Sequence, residues 1–173
     1  GSLRSVYVPM KEVDTTHALL SRVIESLELG FETRGRSVSE IEDWLFTRLK
    51  ESFLVMVVDE ADRNLNALTP VLHRFPRETG HASFLLISRN PRLLDALPSD
   101  TKDAFRPHRL MFPPYTDEEL STIITQRAKI ALTNGSCPSE VCWRIADEAK
   151  LDGSARFAID LLKNAAYIAT QEN

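Results

Sequence analysis

Glycine is scarce in this sequence: six residues in 173, at Gly1, Gly30, Gly35, Gly80, Gly135 and Gly153. That scarcity limits which phosphate-binding loops the chain can hold, since such loops need glycine where backbone approaches phosphate. Cysteine is scarcer. Cys137 and Cys142 are too few for a disulfide scaffold, and no His/Cys cluster accompanies them. A reducing intracellular compartment is the default expectation. His17, His73, His81 and His108 show no metal-ligand spacing. No apolar run approaches the ~18 residues of a membrane span, and the N-terminal stretch lacks signal-peptide organisation. A basic excess is also lacking: 21 Lys and Arg stand against 25 Asp and Glu, a net charge of −4. A protein that coats nucleic acid with its whole surface is thereby excluded, and a local basic patch is not.

What is present is ordinary for a globular chain, 43% apolar and 27% charged residues. The length suits one domain, or a core with a small satellite. The opening Gly1-Ser2 reads as a tag remnant or as a start inside a longer protein. Val6-Tyr7-Val8 reads as a short strand. Asp14 or Thr15 can cap a helix with Leu19, Leu20, Val23, Ile24 and Leu27 on one stripe, and Gly30 is its natural stop. Ser37 and Glu40 form a capping box that opens a second helix, with Ile41, Trp44, Leu45 and Leu49 inward.

The run from Phe53 to Val58 suits a strand buried on both faces. Leu65, Leu68, Leu72 and Phe75 recur at helical spacing, with Pro70 expected to kink or restart that helix. Phe84 to Ile87 is a second buried-strand candidate, followed by a short helix with Leu93, Leu94 and Leu97. Arg109 to Phe112 reads as a third such strand, closed by Pro113-Pro114. Beyond it only helices are expected. One is capped by Thr116 with Glu119 and holds Leu120, Ile123, Ile124 and Ala131 inside. One starts near Pro138, and one follows Gly153. Trp44 and Trp143 fit helix interiors. The layout implies a three-layer α/β domain with a helical appendage.

Chemistry concentrates at Asp59-Glu60, where the apolar run ends. Carboxylates at the C-terminal end of a parallel strand sit where α/β sheets bind ligands. In P-loop NTPases such an Asp helps hold Mg²⁺ on the phosphates, and an adjacent Glu can polarise the attacking water. The bland alternative is that acidic residues are common where strands end. Ser88, Arg89 and Asn90 end the next strand and would lie beside Asp59 if the two strands pair, although Asn90-Pro91 is also plain turn chemistry. Arg156, just after Gly153, could fold over a nucleotide or be a solvated surface residue. Arg34 and Arg36 could touch nucleic-acid phosphates or serve solubility. Gly30 to Ser37 imitates G-x-x-x-x-G-K-[ST], but Arg36 replaces the lysine and a helix rather than a strand precedes it.

The order of VVDEAD, LLISRN, FPPYTDEELSTIITQRAKIA and DGSARFAIDLLKNAA resembles the AAA+ ATPases of the archaeal replication-initiator family, relatives of the origin-recognition and cell-division-control proteins. The resemblance runs from about Val6 to Ala169. It implies a three-layer P-loop NTPase (AAA+) α/β core over 1–114, N-terminally incomplete, and a small helical lid over 115–173. Asp59 and Glu60 match Walker B, with Asp59 on Mg²⁺ and Glu60 catalytic. Arg156 matches the sensor-two arginine, and Arg89 and Asn90 occupy the sensor-one region. Gly35, Arg36, Ser37 and Glu40 match a G-x-S-x-x-E that follows an initiator-specific insertion near DNA, which puts Arg34 and Arg36 on the DNA side.

The sequence departs from the pattern in its sensor-one and arginine-finger regions, and Ser154 stands in place of the Asp of the family's G-D-A-R. Arg89 stands where Asn should directly follow Ser88, and Asp100 stands where the arginine finger is expected, with Lys102 and Arg106 as weak substitutes. The resemblance places Walker A upstream of Val6 and a winged helix after Asn173, so this chain alone is expected to hydrolyse no ATP. It further implies ATP or ADP with Mg²⁺, double-stranded origin DNA, a replicative helicase and other initiator subunits, and a cytoplasmic, nucleoid-associated protein with no membrane. The alternatives are a nucleotide-independent DNA-binding scaffold on the same fold, or an ATPase of clamp-loader or transposition type.

Overall fold

The computed structural model describes residues 2–151 and 153–171. Contacts divide the chain into two units, Gly1–Arg109 and Leu110–Asn173.

In the first unit, β1 (Leu3–Pro9), β2 (Phe53–Asp59) and β3 (Ala82–Leu86) form a parallel sheet in the order β1-β2-β3. Parallel strands need crossovers. Helices α1 (Thr16–Ser26) and α2 (Val38–Leu49) bridge β1 to β2, and α3 (Leu65–Thr79) bridges β2 to β3. A 3-10 turn at Leu93–Ala96 and helix α4 (Ser99–Phe105) follow. Thr15 caps α1 by accepting from the Ala18 amide, and Ser37 and Glu40 close the expected capping box on α2.

The strands bury alternate residues. Val6 and Val8 of β1 pair in register with Met56 and Val58 of β2, and all four join the core with Leu19, Leu45 and Phe75 from the helices. Burying each such side chain stabilises by roughly 1.5–3 kcal/mol. The opposite sheet face carries Tyr7, Phe53 and Leu85, each about half exposed. The continuous apolar run of β2 therefore did not mean burial on both faces.

Three local expectations fail for physical reasons. Helix α1 ends at Ser26 with Leu27 as its C-cap, before Gly30, because Glu28 takes the left-handed conformation (φ 51°) and the Glu28 and Leu29 amides close back onto the Glu25 and Ile24 carbonyls. Helix α3 runs through Pro70 and Pro76 unbroken. Its buried stripe of Ala67, Leu68, Val71, Leu72 and Phe75 outweighs the backbone bonds the prolines remove. Arg109 to Phe112 forms no strand. A strand exists only through ladder bonds to a neighbour, and none forms along this segment, which leaves Leu110 and Phe112 strongly exposed.

The second unit holds α5 (Asp117–Ala131), α6 (Ser139–Ala149) and α7 (Ala155–Gln171). They share a core of Leu120, Ile124, Ala128, Cys142, Ile145, Ala146, Ala149, Ala158 and Leu162. Ala131, expected inside, is exposed at the C-terminal end of α5, and Trp143 is half exposed because α6 turns Cys142 and Ala146 inward instead. Among the described residues no helix is long and apolar enough to cross a membrane.

Candidate functional site

All three strands run the same way, so their carboxyl ends meet on one edge of the sheet, where α/β proteins place ligands. Asp59 closes β2 on that edge. Its Oδ2 accepts from the Tyr7 hydroxyl at 2.7 Å, and its Oδ1 accepts from the Glu60 amide at 2.9 Å. The hydrogen bond to Asp59, together with the carboxylate's charge, raises the Tyr7 phenol above its ordinary value.

Glu60 has φ 51°, a left-handed conformation that costs a non-glycine residue about 1 kcal/mol or more. Its Oε2 is buried without a hydrogen-bond partner; Arg63 approaches to 3.7 Å, an ion-pair distance rather than a hydrogen bond. Strain and an orphaned acceptor on one residue, beside a carboxylate at a strand end, make this edge the candidate site.

The end of the neighbouring strand is tied to this edge through the backbone. The Ile87 amide donates to the Val58 carbonyl and the Ala61 amide donates to the Ile87 carbonyl, which fastens the loop after β2 to the end of β3. Ser88 donates to Asp62 Oδ1 at 2.7 Å. Asn90 Oδ1 accepts from the Arg92 amide at 2.9 Å, so this side chain closes its own turn, while Arg89 is exposed. Asn64 caps α3 and donates to the Val13 and Asp14 carbonyls, tying the start of α3 to the loop after β1.

Gly30 to Ser37 makes its contacts elsewhere. Thr33 accepts from Ser21 of α1, Phe31 stacks on Trp44 of α2 with centroids 4.2 Å apart, and the Arg36 guanidinium lies over the Phe31 ring at 5.7 Å. Ser37 is engaged in its capping box. A hydroxyl spent on a helix cap is not presented to a metal ion, which fits the reading of this segment as a false phosphate loop. Arg36 pairs with Glu40 at 3.4 Å, and the Arg34 amide donates to Glu32, so acidic groups dilute the expected basic patch.

In the second unit Arg156 is exposed in the first turn of α7. Its position depends on Gly153, whose φ is +54° and where a Cβ would lie 2.4 Å from Pro114 Cβ. The Tyr115 amide donates to the Gly153 carbonyl at 3.4 Å, and Ser154 accepts from the Phe157 amide at the start of α7. Pro113-Pro114 and Gly153-Ser154 are therefore two halves of one joint. Asp152, next to it, lies outside the described residues.

Sequence reasoning missed Tyr7 and Asp62. Tyr7 pairs with Val57, and Asp59 lies two residues further along β2, so Tyr7 and Asp59 are diagonal neighbours on one sheet face. A register between the two strands, set by aligning Val6 and Val8 with Met56 and Val58, was the signal that could have found it.

Comparison with known proteins converges on one group. The family model described as the Cdc6 AAA+ ATPase-type lid domain matches residues 121–173. ORC1-type DNA replication protein 1 of Sulfolobus acidocaldarius is 30% identical over 176 residues, covering 96% of this chain and 44% of the relative. The crystal structure of Cdc6p from Pyrobaculum aerophilum superposes with a TM-score of 0.83 at 27% identity, over 98% of this chain and 48% of that one. The Aeropyrum pernix ORC1 protein, solved in complex with DNA, gives 0.81 at 28% identity, over 99% of this chain and 46% of that one. The chain thus spans a little less than half the length of these proteins. With its parallel α/β sheet and its lid-like helical unit, the chain belongs to the archaeal Cdc6/ORC1-like AAA+ family.

Proposed function

We propose that this chain forms the Walker B and lid part of an ATP-dependent replication initiator that binds origin DNA and controls helicase loading. The observation that carries the reading is the strained Asp59-Glu60 pair at the carboxyl end of β2, in a chain similar to ORC1-type proteins. The donor set fits a hydrated Mg²⁺: two carboxylates supply hard oxygen ligands, and the buried Glu60 Oε2 has no hydrogen-bond partner among the described residues. Asp59 would hold the metal and Glu60 would orient water. Bound Mg²⁺ would neutralise charge developing on the phosphates. Asn90 and Arg89 would face the nucleotide from the end of β3, and Arg156 would contact phosphate from the lid. Arg34 and Arg36, on the loop before α2, would contact DNA phosphates.

A second reading is a nucleotide-independent DNA-binding scaffold. It is favoured by the internal bonds that occupy both Asp59 oxygens and Asn90 Oδ1.

One titration separates the two. Duplex DNA binding by the chain is followed by anisotropy against salt, with and without Mg²⁺ and ADP. Both readings expect a steep salt slope that becomes shallower when Arg34 and Arg36 are changed to Ala. In a chain extended upstream to include the Walker A segment that the family resemblance implies, nucleotide binding that needs Mg²⁺ and is lost in Asp59→Asn supports the initiator reading, and DNA binding with no nucleotide binding supports the scaffold. An unchanged slope in the double variant removes the arginines from both.

A further inference from the structure

The second unit contains a thiol pair that the nucleotide and DNA readings do not use. Cys137 and Cys142 are free, with Sγ atoms 3.3 Å apart. Pro138 is the N-cap of α6, so Cys137 stands just before the cap and Cys142 is the fourth helical residue. These are the two positions at which a pair of apolar side chains staples the chain to a helix start. The structural role alone is satisfied by any small apolar pair. Cysteines at both places add a chemistry that such a pair lacks.

The two sulfurs differ in access. Cys142 is 1% exposed and belongs to the helical core, whereas Cys137 is half-buried. Both line a surface pocket of about 210 Å³ together with Thr125, Ala128, Lys129 and Asn134. A small oxidant can therefore reach Cys137 with Cys142 directly behind it.

We propose that Cys137 and Cys142 form a site of reversible disulfide modification, driven by a small hydroperoxide that enters this pocket. The Cys137 thiolate attacks the peroxide oxygen, the O–O bond breaks, and a sulfenic acid forms while the alcohol or water leaves. The Cys142 thiolate then attacks the sulfenic sulfur and water departs. In sum, two thiols and one hydroperoxide give one disulfide, one alcohol and one water. The bond encloses Pro138 to Val141 and locks the start of α6 covalently.

Burial and the neighbouring sulfur push the Cys137 thiol up to about 11. The thiolate is then a minor species at neutral pH, so the pair reacts slowly and only under sustained oxidant. The rate should climb about tenfold for each pH unit between 7 and 9.

The experiment treats the whole chain with tert-butyl hydroperoxide, blocks remaining thiols by alkylation and maps peptides without reduction. The expected result is an internal link between Cys137 and Cys142, complete loss of alkylation at both, and recovery of both by dithiothreitol. In Cys142→Ser a dimedone-trapped sulfenic acid should remain on Cys137. In Cys137→Ser the buried Cys142 should stay reduced. The inference is overturned if the unaltered chain shows sulfinic acid on Cys137 with Cys142 still alkylatable, links only between separate chains, or keeps both thiols. The mapping of the unaltered chain decides the matter even if a variant folds poorly.

Discussion

The Tyr7 hydroxyl donates to Oδ2 of Asp59 at 2.7 Å, joining adjacent parallel strands at the carboxyl edge of the sheet. The bond holds the carboxylate in one orientation while the neighbouring Glu60 carries the left-handed backbone. Any ligand of Asp59 Oδ2 must share or replace this hydrogen bond.

Tyr7 should titrate later than its ordinary value, because ionising it breaks a hydrogen bond and sets two negative charges side by side. Ultraviolet titration should follow this late transition: Asp59→Asn should bring it earlier, and Tyr7→Phe should delete it. A late transition that persists in Asp59→Asn would contradict the assignment.

Glu42 of α2 is 2% exposed and pairs with Arg74 of α3, whose guanidinium also lies over the Phe46 ring at 5.2 Å. Burial raises the Glu42 carboxyl above its ordinary value of 4.5, and Arg74 offsets this only in part. A carboxyl raised in the folded state gives stability that is full below its unfolded value and is lost as pH rises through the folded one. Glu42→Gln should therefore flatten the stability curve above pH 4.5. Arg74→Ala should cost about 1–3 kcal/mol at pH 7, discounted for the partial exposure of the arginine, and less at acid pH where Glu42 is neutral. Chemical denaturation across pH measures both.

Gly153→Ala should destabilise the helical unit by roughly 2–4 kcal/mol, from the left-handed φ and from the collision with Pro114. Pro114→Ala should not relieve it, because the colliding atom is a Cβ that alanine also has. Pro114→Gly in the same background should recover the steric part and leave the backbone part. Thermal melting of the variants should show that order.

Phe31→Ala should release both the Trp44 stack and the seat of Arg36. A shift of tryptophan emission to longer wavelength is expected, at a stability cost of about 1–3 kcal/mol for the half-buried ring. Unchanged emission would mean that the stack does not form in solution.

Much of the site was legible because its signals are local. The run Phe53 to Val58 closing on Asp59-Glu60 encoded a strand and its acidic end within eight residues. Ser37 with Glu40 and Thr116 with Glu119 encoded two helix starts through hydrogen bonds that span three residues. Hidden features needed partners from far along the chain. Tyr7 acquired meaning only when strand register set it beside a residue 52 positions away. Arg109 to Phe112 has the composition of a strand, and composition supplies no neighbour to bond with.

By itself the sequence determined the alternation of strand and helix, the acidic strand end and the family resemblance, since these rest on periodicity, caps and short motifs. Tertiary structure decided which face of the sheet is buried, that α3 survives its prolines, that Gly153 must meet Pro114, and that two cysteines share a helix start. The reason is that burial, steric contact and sulfur proximity are relations in space. A chain specifies them only through the sum of its packing, and no short stretch of residues displays them.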